Sequence, residues 1–315
     1  MKNETKLYLL WLSVSVTLAV IFESPAVALI IGAVIALTGG NPARKQTSKA
    51  SKYMLQTAVI LLGFKLQIDV VLKVGLSSIW ITMISIVFTM LLGWLLGKMF
   101  KTDVHLTTLL SSGTAICGGS AIAAMAPAIG ASPTITAISL AVVFLLNAVG
   151  LLIFPEIGAF FHLTQSQFGI WSALAIHDTS SVVGAASIYG TTALSIATTV
   201  KLTRALWILP LSFAGSYIHK SKSAAKFPWF LLGFLATSAI NTYVTCHPFS
   251  VVFSGSAFFG KRLMVATLFL IGLGLTRSEL KNIGIKPLIQ AIILWLIVAS
   301  ITLTFIIYGI LNINV

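Results

Sequence analysis

The sequence predicts an all-α polytopic membrane protein. Of its 315 residues, 57% are hydrophobic and only 9% charged, and the mean hydropathy is +1.02, whereas an average soluble domain carries about 25% charged residues. This balance excludes a soluble enzyme, a nucleic-acid-binding domain and a disordered chain. The net charge of +13 must therefore be read by position. Cys117 and Cys246 offer neither metal-ligand spacing nor a disulfide framework, and no metal or cofactor is expected.

A spanning helix takes about 20 mostly apolar residues. Eleven apolar segments follow one another, near 7–22, 25–38, 51–66, 77–98, 105–128, 133–154, 167–188, 192–219, 227–244, 260–276 and 287–311. The second and tenth are short. The first resembles a signal peptide, with Lys2 and Lys6 before its apolar core, but Glu23-Ser24-Pro25 is a poor cleavage site. It is expected to be retained as a span. Positive residues gather on cytoplasmic loops. With the N-terminus inside, 14 of the 20 Lys and Arg fall at cytoplasmic ends, in 2–6, 44–52, 98–101, 220–226 and 277–286, and four (Lys65, Lys73, Lys261, Arg262) outside. The expected topology is N-terminus cytoplasmic and C-terminus external.

The third and tenth segments share a pattern. Leu62-Gly63-Phe64-Lys65-Leu66 with Gly75 matches Ile271-Gly272-Leu273-Gly274-Leu275 with Gly284, and the two copies run in opposite directions. Inverted repeats of this kind build many secondary carriers, which bind substrate near the midplane. Chance recurrence of a glycine-ended helix is the plainer reading. The expectation is one transmembrane transporter domain over 1–315, with repeat halves near 40–155 and 165–311.

Within the fifth segment, Gly118 and Gly119 each cost about 1 kcal/mol in a helix relative to Ala, and Pro127 removes a backbone donor. A helix broken there would aim free N–H groups at a negative ligand, flanked by Thr114, Cys117 and Ser120. Packing through small residues is the alternative. In the seventh segment, His177 and Asp178 are ionisable residues at membrane depth, where the default reading is functional. Asp178 could equally cap a half-helix starting at Thr179, Ser180 and Ser181. Lys201 and Arg204, well inside the eighth segment and three apart, share one helix face. They need a carboxylate, an anionic substrate or both; Asp178 can neutralise one, and the remainder favours an anion, for which Arg presents a fork. A structural ion pair is the competing reading. Asn147 and Asn241 read as interhelical glue.

Gly113-Thr114-Ala115-Ile116-Cys117-Gly118-Gly119-Ser120-Ala121, the His177-Asp178 stretch with Val182-Val183-Gly184-Ala185-Ala186, Lys201-Leu202-Thr203-Arg204, Phe227-Pro228-Trp229-Phe230, and Leu273-Gly274-Leu275-Thr276 with Gly284-Ile285-Lys286-Pro287-Leu288 resemble, in the same order over nearly the whole chain, the YeiH-type family of bacterial inner-membrane proteins. Its members are often labelled sulfate exporters, and some carry Glu in place of Asp178. The resemblance implies a distant branch of the cation:proton antiporter and anion transporter superfamily, with inverted repeats and two broken helices crossing at the midplane. One difficulty stands: the topology makes the fifth and seventh segments parallel, whereas mates in an inverted repeat are antiparallel. Either one is re-entrant, or they are not mates, or the second repeat is permuted.

The expected function is secondary transport, as an exporter, of a small anion such as sulfate, sulfite or a sulfonate by alternating access. Protons or Na+ are the candidate coupling ions, the bilayer is the surrounding partner, and a homodimer is one open assembly. Thr114, Cys117, Gly118, Gly119, Ser120, Thr179, Ser180 and Ser181 would line the anion, Lys201 and Arg204 would set its sign, and His177 or Asp178 would titrate. The alternatives are a cation/proton antiporter using Asp178, an anion channel, and an intramembrane hydrolase pairing Ser120 or Cys117 with His177.

Overall fold

The computed structural model describes residues 10–11, 13–15, 17, 21, 25–65, 67–219, 229–244, 247–274 and 284–311. Most of the first apolar segment, the basic stretches 220–226 and 277–281, Cys246, Leu275, Thr276 and the C-terminal Val315 lie outside the described residues. All regular structure among the described residues is helical: α1 (Pro25–Gly39), α2 (Arg44–Leu62) with a 3-10 turn at Gly63–Lys65, α3 (Ile68–Phe100), α4 (Val104–Ala115), α5 (Gly119–Ala128), α6 (Pro133–Phe160), α7 (Gln165–Ala175), α8 (Thr179–Tyr189), α9 (Thr191–Leu206), α10 (Ile208–His219), α11 (Phe230–Tyr243), α12 (His247–Gly272) and α13 (Ile285–Ile307). Among the described residues, five stretches are long and apolar enough to cross a bilayer: Ile68–Phe100, Thr134–Phe160, Thr191–Ile218, Val251–Gly272 and Ile285–Ile307. The protein is an all-helical, polytopic membrane protein.

The chain divides into two compact units, Met1–Leu72 with Pro228–Ser278, and Lys73–Phe227 with Glu279–Val315. In the first unit, α12 packs on α1 and α2. Glycines permit the close approach: a Cβ on Gly32 would collide with the Phe269 carbonyl, and one on Gly272 with that of Leu29. Helices α1 and α12 run parallel, from Gly32 against the Phe269 carbonyl to Asn41 Nδ2 donating to the Leu273 carbonyl at 3.1 Å. Helices α2 and α11 also run parallel: Thr237 Oγ1 donates to the Ile60 carbonyl at 2.7 Å and Ser238 Oγ to that of Gly63 at 3.2 Å. By contrast α2 and α12 are antiparallel, with Phe64 stacked on Phe253 at 5.0 Å and Gly260 fitted against Leu61.

The second unit settles how the two interrupted segments run. Neither passes through as one broken helix; each folds back on itself. At the base of the second, the Phe168 and Tyr189 rings stack with centroids 3.9 Å apart, and the Thr192 N–H donates to Gln165 Oε1 at 3.0 Å. Its two ends therefore lie side by side, and its tip is Ile176–Asp178. In the first, α4 packs against α5, and Ile122 Cδ1 lies 3.0 Å from the Cβ position of Gly113. The Gly118 N–H closes the tip by donating to the Gly113 carbonyl at 2.9 Å.

The hairpins approach each other from opposite ends. Helix α3 runs parallel to α9–α10, since Gly75 faces Thr203, Thr82 Oγ1 accepts from Trp207 Nε1 at 3.2 Å, and Ile86 packs with Ala205 and Ile208. Helix α4 runs back along α3, with Thr107 against Gly97 and Ser111 against Gly93. Helix α7 instead runs with α9, from Gly169 beside Ala193 to Ala173 beside Lys201. Opposed hairpins replace the two crossing broken helices that the family resemblance implied. They also rule out reading 105–128 and 167–188 as single continuous spans.

Candidate functional site

Each hairpin tip follows from its local sequence. At the first, Gly118 adopts φ +62 and ψ −120, the mirror image of the first central position of a type II turn, which only glycine holds without strain. At the second, Ile176 and Asp178 are extended, with φ −85 and −94, and Asp178 then caps α8 by accepting from the Ser180 N–H at 3.0 Å and from the Ser180 hydroxyl. The tips touch. The Cβ position of Gly118 lies 3.3 Å from Asp178 Cβ.

Asn147, in the middle of α6, fixes the second tip, its Oδ1 accepting from the Asp178 N–H at 3.0 Å. Its Nδ2 is buried without a hydrogen-bond partner. His177, 1% exposed, likewise has neither ring nitrogen partnered, and its ring lies 6.1 Å from that of Trp295. Buried polar groups are ordinarily satisfied. Two unpaired polar side chains thus lie beside one hairpin tip.

Lys201 and Arg204 are both 0% exposed and reach the carbonyl end of α7. Lys201 Nζ donates to Ala173 and Ile176 at 3.2 and 2.7 Å, and Arg204 Nη1 to Ala173 and Leu174 at 3.3 and 2.5 Å. Trp295 Nε1 takes the Ala175 carbonyl at 2.9 Å. The last turn of α7 thus has its orphan acceptors filled by side chains from α9 and α13. The expected ion pair with Asp178 does not form, because that carboxylate is spent on the α8 cap. A helix C-terminus offers about half a negative charge. That is less than the charge of Lys201 and Arg204 in their protonated forms.

The first tip contributes differently. Thr114 and Cys117 are buried, and Cys117 packs among Ile86, Ala121, Ala205 and Ile208. Gly119 and Ser120 open α5, where first-turn N–H groups have no intrahelical acceptor. Gly119 also lies against Phe144, 3.1 Å from its Cβ position, so packing and ligand access both bear on it. Thr179, Ser180 and Ser181 are buried in the first turn of α8. No hydrogen bond joins Ser120 or Cys117 to His177, the contact that a hydrolase would need. The sequence signal for Trp295 is its mid-span position, since a buried indole requires a partner for its N–H.

Residues 8–291 match the family model described as conserved hypothetical protein 698. The chain belongs to that family. It is the family of UPF0324 membrane proteins, the YeiH family that the motifs resemble. The chain is 50% identical over 279 residues to a UPF0324 membrane protein of Geobacter sulfurreducens, covering 88% of this chain and 89% of that one. It is 48% identical over 296 residues to one of Bdellovibrio bacteriovorus (91% and 90% covered), and 46% identical over 287 residues to one of Bacteroides thetaiotaomicron (90% and 86%). No solved structure matches the chain.

Proposed function

We propose that this protein is a secondary carrier of a small anion in the bacterial inner membrane, holding its substrate where the two hairpin tips meet. The observation that carries the reading is the pair of fully buried cations, Lys201 and Arg204, behind the tip that holds His177 and Asp178. Their charge is not cancelled by the carbonyls they cap, so an anion at the tips is favoured and a cation opposed. Donors at hand are the N–H groups of Gly119 and Ser120, Asn147 Nδ2 and the His177 ring. Sulfate, sulfite and sulfonates fit this donor set, and export by alternating access is the transport mode we adopt.

The architecture supports a carrier. With the N-terminus inside, the first hairpin enters from the cytoplasmic side and the second from outside. Helices α1 and α11, α2 and α12, α3 and α13, the two hairpins, and α6 and α9–α10 then form antiparallel pairs. The glycine contacts repeat with them: Gly272 of α12 packs on α1, and Gly63 after α2 packs on α11. The second copy is permuted, since its hairpin precedes α11. This pairing would start the first repeat at α1, Pro25, ahead of the residue-40 boundary expected from sequence.

Purified protein in liposomes, screened with sulfate, sulfite, thiosulfate, sulfonates and dicarboxylates with and without a pH gradient, tests the reading. Saturable counterflow of at least one anion is expected. Non-saturating conductance would indicate a channel instead, and flux of Na+ or protons without any anion would indicate the antiporter.

A further inference from the structure

A separate cavity of about 300 Å3 lies where α3 ends and α4 begins, lined by Trp94, Lys98, Lys101, Thr102, Thr107 and Thr108 among others. Its lining sets two lysines and three threonines beside an apolar wall. Lys98 Nζ sits 5.6 Å above the Trp94 ring. Lys101 stands at φ +54, a left-handed conformation that lysine rarely adopts, and the Thr102 N–H closes the turn on the Gly97 carbonyl at 3.0 Å. Glycine would fit this turn better; lysine there adds a second basic side chain to the cavity lining. The Thr102 hydroxyl is buried without a partner. The neighbouring Asp103 is occupied, its Oδ1 accepting from the Leu106 N–H at 3.0 Å.

From Trp94 an exposed apolar stripe climbs α3 through Leu91, Val87, Ile84 and Trp80, between 52% and 68% exposed. The spacing of three and four residues keeps it on one face. It extends about 21 Å at 1.5 Å per residue, enough for an acyl chain in one leaflet of a core roughly 30 Å thick. A free phosphate would need the cations and hydroxyls but not the stripe.

We propose that this cavity binds the headgroup of an anionic phospholipid, with its acyl chain along the α3 stripe. Lys98 and Lys101 fall on the side that the Lys and Arg distribution makes cytoplasmic, where anionic headgroups attract basic pockets. The site is independent of the hairpin tips and of what they carry.

The test is the melting temperature of the purified full chain in neutral detergent, with phosphatidylglycerol, phosphatidylcholine or glycerol phosphate added, together with native mass spectrometry of retained lipid. Phosphatidylglycerol is expected to stabilise the protein and to remain bound, and phosphatidylcholine and glycerol phosphate to do neither. The K98Q/K101N variant changes two exposed side chains and keeps a residue tolerant of φ > 0, so it should melt like the parent without lipid and lose the phosphatidylglycerol shift. K98Q alone should show a partial loss. An equal shift with glycerol phosphate, a shift that survives K98Q/K101N, or an equal loss in the control K45Q/K49Q, whose lysines do not line the cavity, would each overturn the proposal.

Discussion

At Gly118 the backbone takes a conformation closed to other residues, and the same residue is the point where one hairpin tip meets Asp178 of the other. Gly119 has ordinary helical geometry and is limited only by Phe144. The two glycines, equivalent in sequence, therefore separate in consequence. Gly118→Ala should destabilise the protein by about 1–3 kcal/mol from the backbone alone, with anion-induced stabilisation lost as the tip reshapes. Gly119→Ala gains about 0.5–1 kcal/mol of helix preference and spends part of it displacing Phe144, so its melting temperature should stay close to the parent's. Thermal melts with and without the best transported anion check both. Equal melting temperatures for the two variants would remove the special role given to the Gly118 turn.

At the scale of the helix, the carbonyl end of α7 explains why two cations sit so deep in α9. Lys201→Met deprives the Ile176 carbonyl of its donor, a loss of about 1–3 kcal/mol, but it also removes a buried charge whose desolvation costs several kcal/mol. Stability should change little while anion affinity falls. A Lys201→Met protein as stable as the parent and binding every transported anion equally would assign Lys201 to capping alone. Adjacent glycines, an ionisable pair and two basic residues inside apolar segments are each costly, and that cost is what makes these positions legible in the sequence. The sequence could not show that the cations serve α7 carbonyls, because backbone acceptors leave no trace in residue identity. Nor could it show the direction of each break. Helices of 12 and 11 residues, α4 and α7, reach about 18 and 16 Å, roughly halfway through a bilayer core, yet hydropathy is the same whether the second half continues or returns.

For the whole molecule, the decisive ambiguity has a simple origin: no Lys or Arg occurs between Lys101 and Lys201. The positive-inside count is blind over that interval, so two crossing segments and two re-entrant hairpins give the same tally and the same external C-terminus. Only packing distinguishes them, through the Phe168–Tyr189 stack, the Gln165–Thr192 hydrogen bond and the Gly113–Ile122 contact. The parity conflict disappears with the hairpins, because the first then enters and leaves on one face and the second on the other. Two short turns become diagnostic, 129–132 before α6 and 161–164 after it. Single cysteines at Lys101, Ala131 and His162, placed in a background with Cys117 and Cys246 replaced by Ala, can be probed with a membrane-impermeant thiol reagent in oriented vesicles. Hairpins put Ala131 on the same side as Lys101 and His162 on the opposite side. Crossing segments require the reverse, Ala131 opposite Lys101 and His162 beside it, and that pattern would refute the inverted pairing on which the anion site between the tips depends.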